Sequence, residues 1–131
     1  MRWLRRRPVP PEASYDDDGS LAVLVRAQDP SRADSAVLDE ALAAGVDLSP
    51  RLLVRHHLVL PDRAAVERAT ALLGQDGYRL TVSDPGPPLA VRAFRTQVLT
   101  AMSASQERSR MAGLAQRLGG DVDGWDACGP G

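Results

Sequence analysis

The chain has 131 residues, enough for one compact domain and a tail but too few for two independent cores. With 44% hydrophobic and 25% charged residues it has the composition of a soluble globular protein, and a formal net charge of -1 excludes a global pull toward nucleic acid or anionic membrane. The single cysteine, Cys128, excludes an intrachain disulfide; no run approaches the roughly 18 to 20 apolar residues of a membrane span, and Leu4 sits alone among arginines, so the expected location is the cytoplasm, with no membrane contact.

Residues 1–18 read as a tail. Met1-Arg2-Trp3-Leu4-Arg5-Arg6-Arg7 is basic, Pro8-Val9-Pro10-Pro11 cannot be helical, and Glu12 with Asp16-Asp17-Asp18 reverses the charge. Opposed charge blocks around a proline run predict a disordered, solvated leader; Trp3 among arginines is the feature that would suit a weak RNA or acidic-partner anchor.

Residues 19–131 read as one domain. Leu21-Ala22-Val23-Leu24-Val25 is an apolar run of strand length. A loose capping pattern from Ser31 to Asp34 then opens a helix, with Val37, Leu38, Ala41 and Leu42 at helical spacing and Gly45 at its end. From Arg51 to Leu60 the chain alternates: Leu52, Val54, His56, Leu58 and Leu60 share one face, and Leu53, Arg55, His57 and Val59 the other. Asp62 caps a second helix with a stripe of Ala65, Val66, Ala69, Leu72 and Leu73, closed by Gly74 and Gly77. Tyr78 to Ser83 and Leu89 to Thr96 alternate around the turn residues Asp84 to Pro88, which predicts a hairpin. The last helix is expected from about Ser103, where Ser103 and Gln106 fit a capping box, through Leu118; after Gly119-Gly120, a final strand carries Trp125.

From about residue 45 to 128 the order is strand, helix, strand, strand, helix, strand. That is the order of an α+β, ferredoxin-like sandwich, a βαββαβ core with helices on one face of an antiparallel sheet, here preceded by an extra β-α unit that crosses over to the core or packs at its edge. If the apolar parity marks the helix side, Arg55, His57, Arg79, Arg92 and Phe94 project from the opposite, open face.

The His56-His57 pair in the first core strand, the helix ending before Gly77-Tyr78, the hairpin, and the helix running into Gly119-Gly120-Asp121-Val122-Asp123-Gly124-Trp125 together resemble the regulator of ribonuclease E activity B family, RraB. The resemblance spans about Gly45 to Trp125; its sharpest element is Asp123-Gly124-Trp125, and His56, Gly77, Tyr78, Gly120 and Gly124 carry the structural motif. It implies a non-catalytic, cofactor-free protein that binds a ribonuclease E/G-type endoribonuclease and lowers its activity. In that reading Arg55, His57, Arg92 and Phe94 contact the partner, and Asp123 and Trp125 either shape the last strand or join the patch.

The residues also have plainer accounts. His56 falls on the apolar face as a core histidine, Trp125 is either a core plug or a contact residue, and Asp123 can bond backbone amides in a tight turn. Adjacent histidines on a strand point to opposite faces, which argues against a shared metal. Cys128 has no basic sequence neighbour to activate it. Catalysis would need an acid-base pair such as His57 with Asp123 or Asp121, and no phosphate loop, serine elbow or paired-carboxylate motif accompanies one. The other alternative is an RNA-binding module reading bases on the open face; with Phe94 the one aromatic placed to stack there, direct nucleic-acid binding is not the expected mode.

Overall fold

A computed structural model describes residues 14–83 and 86–131. The basic block with Trp3, and Asp84-Pro85 of the expected turn, lie outside the described residues. Over the described residues the protein is α+β: a five-stranded antiparallel sheet and three helices, in the order β1 (Ala22–Ala27), α1 (Asp34–Ala43), β2 (Leu52–Leu60), α2 (Arg63–Gly74), β3 (Arg79–Ser83), β4 (Leu89–Gln97), α3 (Ala101–Arg117) and β5 (Asp121–Gly129). The spatial order is β1-β5-β2-β4-β3, so the leading strand packs at the edge of the sheet, beside the last one.

Local chemistry sets most boundaries. Asp62 caps α2 as expected, its Oδ1 accepting from the Ala65 amide at 2.9 Å. The expected start of α3 is corrected: Thr100, not Ser103, is the cap. Thr100 Oγ1 accepts from the Ser103 amide at 3.0 Å while Ser103 Oγ accepts from the Thr100 amide at 2.9 Å, so the box closes with serine in the third helical position. The capping pattern expected at Ser31–Asp34 is not formed either. Ser31 bonds Asp29, the cap position is Ala33 with no side-chain bond, and Asp34 turns inward as a buried first-turn acid.

The strand parity reads as expected. Leu52, Val54, His56, Leu58 and Leu60 of β2 face the helices together with Val91 and Ala93 of β4, and the core divides into two clusters on that side. One joins Leu58, Leu60 and Val91 to Ala69 and Leu73 of α2 and Met111 and Leu114 of α3; the other joins Val25, Val54, Trp125 and Ala127 to Val37 and Leu38 of α1 and Ala104 of α3.

One irregularity decides the far end of the sheet. His57 pairs with Gly124 but Leu58 pairs with Val122, so Asp123 is an extra residue in β5, a β-bulge. Strict alternation would put Asp121, Asp123 and Trp125 on one face. The bulge resets the parity: Trp125, opposite His56, goes to the helix side, and Asp126, opposite Arg55, goes to the other. Gly124 makes this possible, with φ of +115° and the Ala27 carbonyl oxygen of β1 only 2.4 Å from where a Cβ would stand. Gly120 is needed for a different reason, because a Cβ there would sit 2.0 Å from the Val59 carbonyl oxygen.

Candidate functional site: the sheet face opposite the helices

Register places Arg55, His57, Arg79, Arg92 and Phe94 on the face away from the helices, with Arg55 opposite Phe94, His57 opposite Arg92 and Arg79 opposite Phe94. At its centre is Asp126. Arg55 holds it with two parallel bonds, Nε to Oδ1 at 2.6 Å and Nη2 to Oδ2 at 2.8 Å, and His57 Nε2 stands 2.9 Å from Oδ2, where a carboxylate can only accept. Burial alone would raise the Asp126 pKa, but the bonds from His57 and Arg55 and the Arg55 charge hold it well below the usual carboxylate range. Arg55 is correspondingly pushed above its ordinary value, first by its bond to Asp126.

This face is not bare. Residues 14–21 run across it: Tyr15 and Leu21 pack on a small cluster of Leu53, Phe94 and Cys128, and the Tyr15 amide donates to Thr96 Oγ1 at 2.8 Å. Asp17 sits between two guanidinium groups, 2.9 Å from Arg55 Nη1 and 3.1 Å from Arg92 Nη1, and Asp16 pairs with Arg79 at 2.8 Å. Residues 14–18, which the sequence assigns to the tail, thus lie against the sheet. Their acids are placed where the sheet concentrates arginine. Phe94, expected as an open contact residue, is 4% exposed beneath this segment, whereas His57 keeps a quarter of its side chain, 24%, in solvent.

The adjacent histidines separate across the sheet. His56 is buried on the helix side, its Nε2 3.4 Å from Glu107 Oε1 of α3 and its ring edge-on to Tyr78; among the described residues His56 Nδ1 has no hydrogen-bond partner. Glu107 also accepts from Tyr78 Oη at 3.0 Å, Gln97 Nε2 at 2.7 Å and Arg95 Nη2 at 3.0 Å. Burial opposes its charge, yet these donors bring its pKa down to about 2. Burial and the neighbouring Glu107 charge in turn push the Tyr78 hydroxyl well up. The motif residues His56 and Tyr78 thus clamp α3 to the sheet, and Gly77, with φ of +85°, makes the turn that delivers Tyr78.

Trp125 is fully buried, its Nε1 donating to Asp34 Oδ1 at 3.2 Å, and Asp34 is held in turn by Arg108 Nε at 2.8 Å. Of the two roles open to it in the sequence, it fills the core-plug position. Asp123 is exposed in the bulge and lines a cleft of about 330 Å³ between the end of β1 and α3, with Asp29, Arg32, Asp34, Arg108 and Asp121. The acid-base pair considered for His57 is corrected accordingly: its carboxylate is Asp126, because the bulge turns Asp123 away. Cys128 Sγ lies 3.7 Å from Asp126 Oδ1; burial, then the Asp126 charge, raises its pKa to about 11, leaving a protonated thiol at neutral pH.

Sequence reasoning missed Asp126, Asp17 and Glu107. Asp126 could have been found from the Gly124 that marks the bulge. The acidic run at 16–18 complements the arginines of the open face, and Glu107 lies four residues before Met111 on the inward stripe of α3. Among the described residues no group of three or more His, Cys, Asp and Glu side chains is arranged to hold a metal ion, and no helix is long and apolar enough to cross a membrane.

No curated protein matches the chain. The family described as regulator of ribonuclease activity B matches residues 31–127, a span that holds α1, the whole β2-to-β4 sheet, α3, and β5 as far as Ala127, and with it Arg55, His57, Arg92, Phe94 and Asp126. With the bulge glycine, the buried Trp125 and the Glu107 clamp all inside that match, the chain belongs to the regulator of ribonuclease activity B family.

Proposed function

We propose that this protein is a non-catalytic regulator that binds a ribonuclease E/G-type endoribonuclease in the cytoplasm and lowers its activity, with the sheet face around Arg55, His57, Arg92 and Phe94 as the contact surface. The observation that carries the reading is the family match over residues 31–127, which brings a ribonuclease partner with it. The order β5-β2-β4-β3, with α2 and α3 as the connections on one side, supports a ferredoxin-like core extended at its edge by β1. Such a sheet offers a broad face rather than an enclosed pocket, and the arginines on it, beside a quarter-exposed His57, are a residue type that carries energy at protein interfaces. Trp125 and the Glu107 clamp act from beneath by holding that face in shape.

The test is calorimetric titration of the protein into the ribonuclease E/G-type enzyme of its own organism, with RNA cleavage followed in parallel. Micromolar or tighter binding with slowed cleavage is the expected result, and the absence of both would refute the assignment. Direct RNA binding is the competing reading; it would show as affinity for RNA alone that falls steeply with salt.

A further inference from the structure

We propose that the sheet face takes an acidic, extended segment of its partner, an aromatic residue followed by two carboxylates, and that Tyr15-Asp16-Asp17 is an in-chain occupant of that same site which the partner segment displaces. The proposal rests on the assignment of this face as the contact surface and specifies what it recognises.

The segment is bound as a ligand would be. Its residues form no strand, yet each of three successive positions finds a complementary place. Tyr15 packs on Leu53, Phe94 and Cys128 while its amide bonds Thr96 Oγ1 and its carbonyl accepts from Arg79 Nη2 at 3.1 Å; Asp16 meets Arg79; Asp17 meets Arg55 and Arg92. Asp17 is almost wholly covered, its side chain 4% exposed, whereas the Arg79–Asp16 pair is mostly in solvent at 56% and 70%. An anchor of this kind, one tight carboxylate fork and one loose pair without a backbone ladder, can be exchanged for a competing segment.

The arginines are prepared for a carboxylate whether or not Asp17 is present. Arg55 is fixed by Asp126, which is itself held by His57, so Nη1, which Asp126 does not use, is the nitrogen that meets Asp17. Among the described residues the ionic partner of Arg92 is Asp17. A peptide is favoured over a nucleic acid because the site also binds main-chain groups, through Thr96 and Arg79. Occupancy by the tethered segment lowers the apparent affinity for a partner in proportion to the unoccupied fraction, about tenfold if the face is filled nine-tenths of the time.

The experiment uses the full chain and a fluorescein-labelled peptide Ser-Tyr-Asp-Asp-Asp, the sequence of residues 14–18, followed by anisotropy. The Asp16→Asn/Asp17→Asn variant is expected to bind the peptide about tenfold more tightly than the unchanged protein, a Ser-Tyr-Asn-Asn-Asn peptide is expected not to bind, and adding Arg92→Gln is expected to abolish the gain. Equal affinity in variant and unchanged protein would overturn the proposal, as would a labelled single-stranded RNA binding the variant while the acidic peptide does not. A second arm needs no substitution: saturating peptide should speed hydrogen exchange at the Tyr15 amide of the unchanged protein, and unaltered exchange counts against displacement. Ribonuclease inhibition without peptide binding overturns this proposal alone, and peptide binding without ribonuclease binding overturns the proposed function while keeping the site.

Discussion

Trp125 shows how one residue anchors one of the two clusters of the helix side. Among the described residues it is the largest fully buried side chain, in one cluster with Val54, Val37, Leu38 and Ala104, and its indole nitrogen is satisfied by the buried Asp34, which Arg108 neutralises. Trp125→Ala is expected to destabilise the fold by about 3 to 5 kcal/mol in urea unfolding, because it removes apolar area, opens a cavity and takes the indole donor from Asp34 Oδ1. An unchanged unfolding midpoint with lost ribonuclease binding would instead make the ring a contact group. Glu107 carries the clearest pH signature. Its pKa is about 2 in the fold against 4.5 ordinarily, so between those values the unfolded chain binds a proton that the folded one does not. Its contribution is complete above pH 4.5 and is lost as pH falls toward 2. Between pH 5.5 and pH 3 the unfolding free energy is expected to drop by about 2 kcal/mol on this account, and Glu107→Gln should remove that part of the slope. Asp126, also depressed, adds a loss in the same direction.

At the scale of elements, β5 and α3 carry the informative departures from regularity. The bulge at Asp123 shifts the β5 register by one residue and so decides which side chains reach the core and which reach the sheet face. Gly124→Ala is expected to cost about 2 kcal/mol or more, since the backbone is in the positive-φ region and the Ala27 carbonyl of β1 leaves no room for a methyl group. Gly113→Ala should have the opposite sign. That glycine lies inside α3 with nothing near its missing Cβ, so alanine is expected to stabilise by about 0.5 to 1 kcal/mol. A thermal melt of both variants separates the two kinds of glycine. The start of α3 is also instructive: Ser103 with Gln106 and Thr100 with Ser103 are both plausible boxes, and the second forms, with Thr100 in the extended conformation a cap requires.

At the scale of the molecule, three helices cover one face of the sheet and an acidic segment covers part of the other, so the two faces differ in how firmly they are held. The helix side is closed by two large apolar clusters; the opposite side is closed by a small one and by ion pairs. Arg92 belongs to the weaker side and has 37% of its side chain in solvent. Arg92→Glu is expected to weaken ribonuclease binding about tenfold while leaving the helix-side core intact, as read by titration calorimetry beside near-ultraviolet circular dichroism.

Much of this was legible in the residues themselves. The alternation in β2, the Asp62 cap, the hairpin and the element order follow from side-chain period and turn chemistry, which act over a few residues, and they were sufficient to place Arg55, His57, Arg92 and Phe94 on one face and His56 on the other. The tertiary structure alone decided that Trp125 and Asp126 lie on opposite faces, that His57 is paired to Asp126 rather than Asp123, and that Asp16 and Asp17 return to neutralise arginines up to 75 positions away. A bulge changes parity by one residue, with only a glycine to mark it. An ion pair between distant segments depends on where the folded sheet gathers its charges, which no local pattern records.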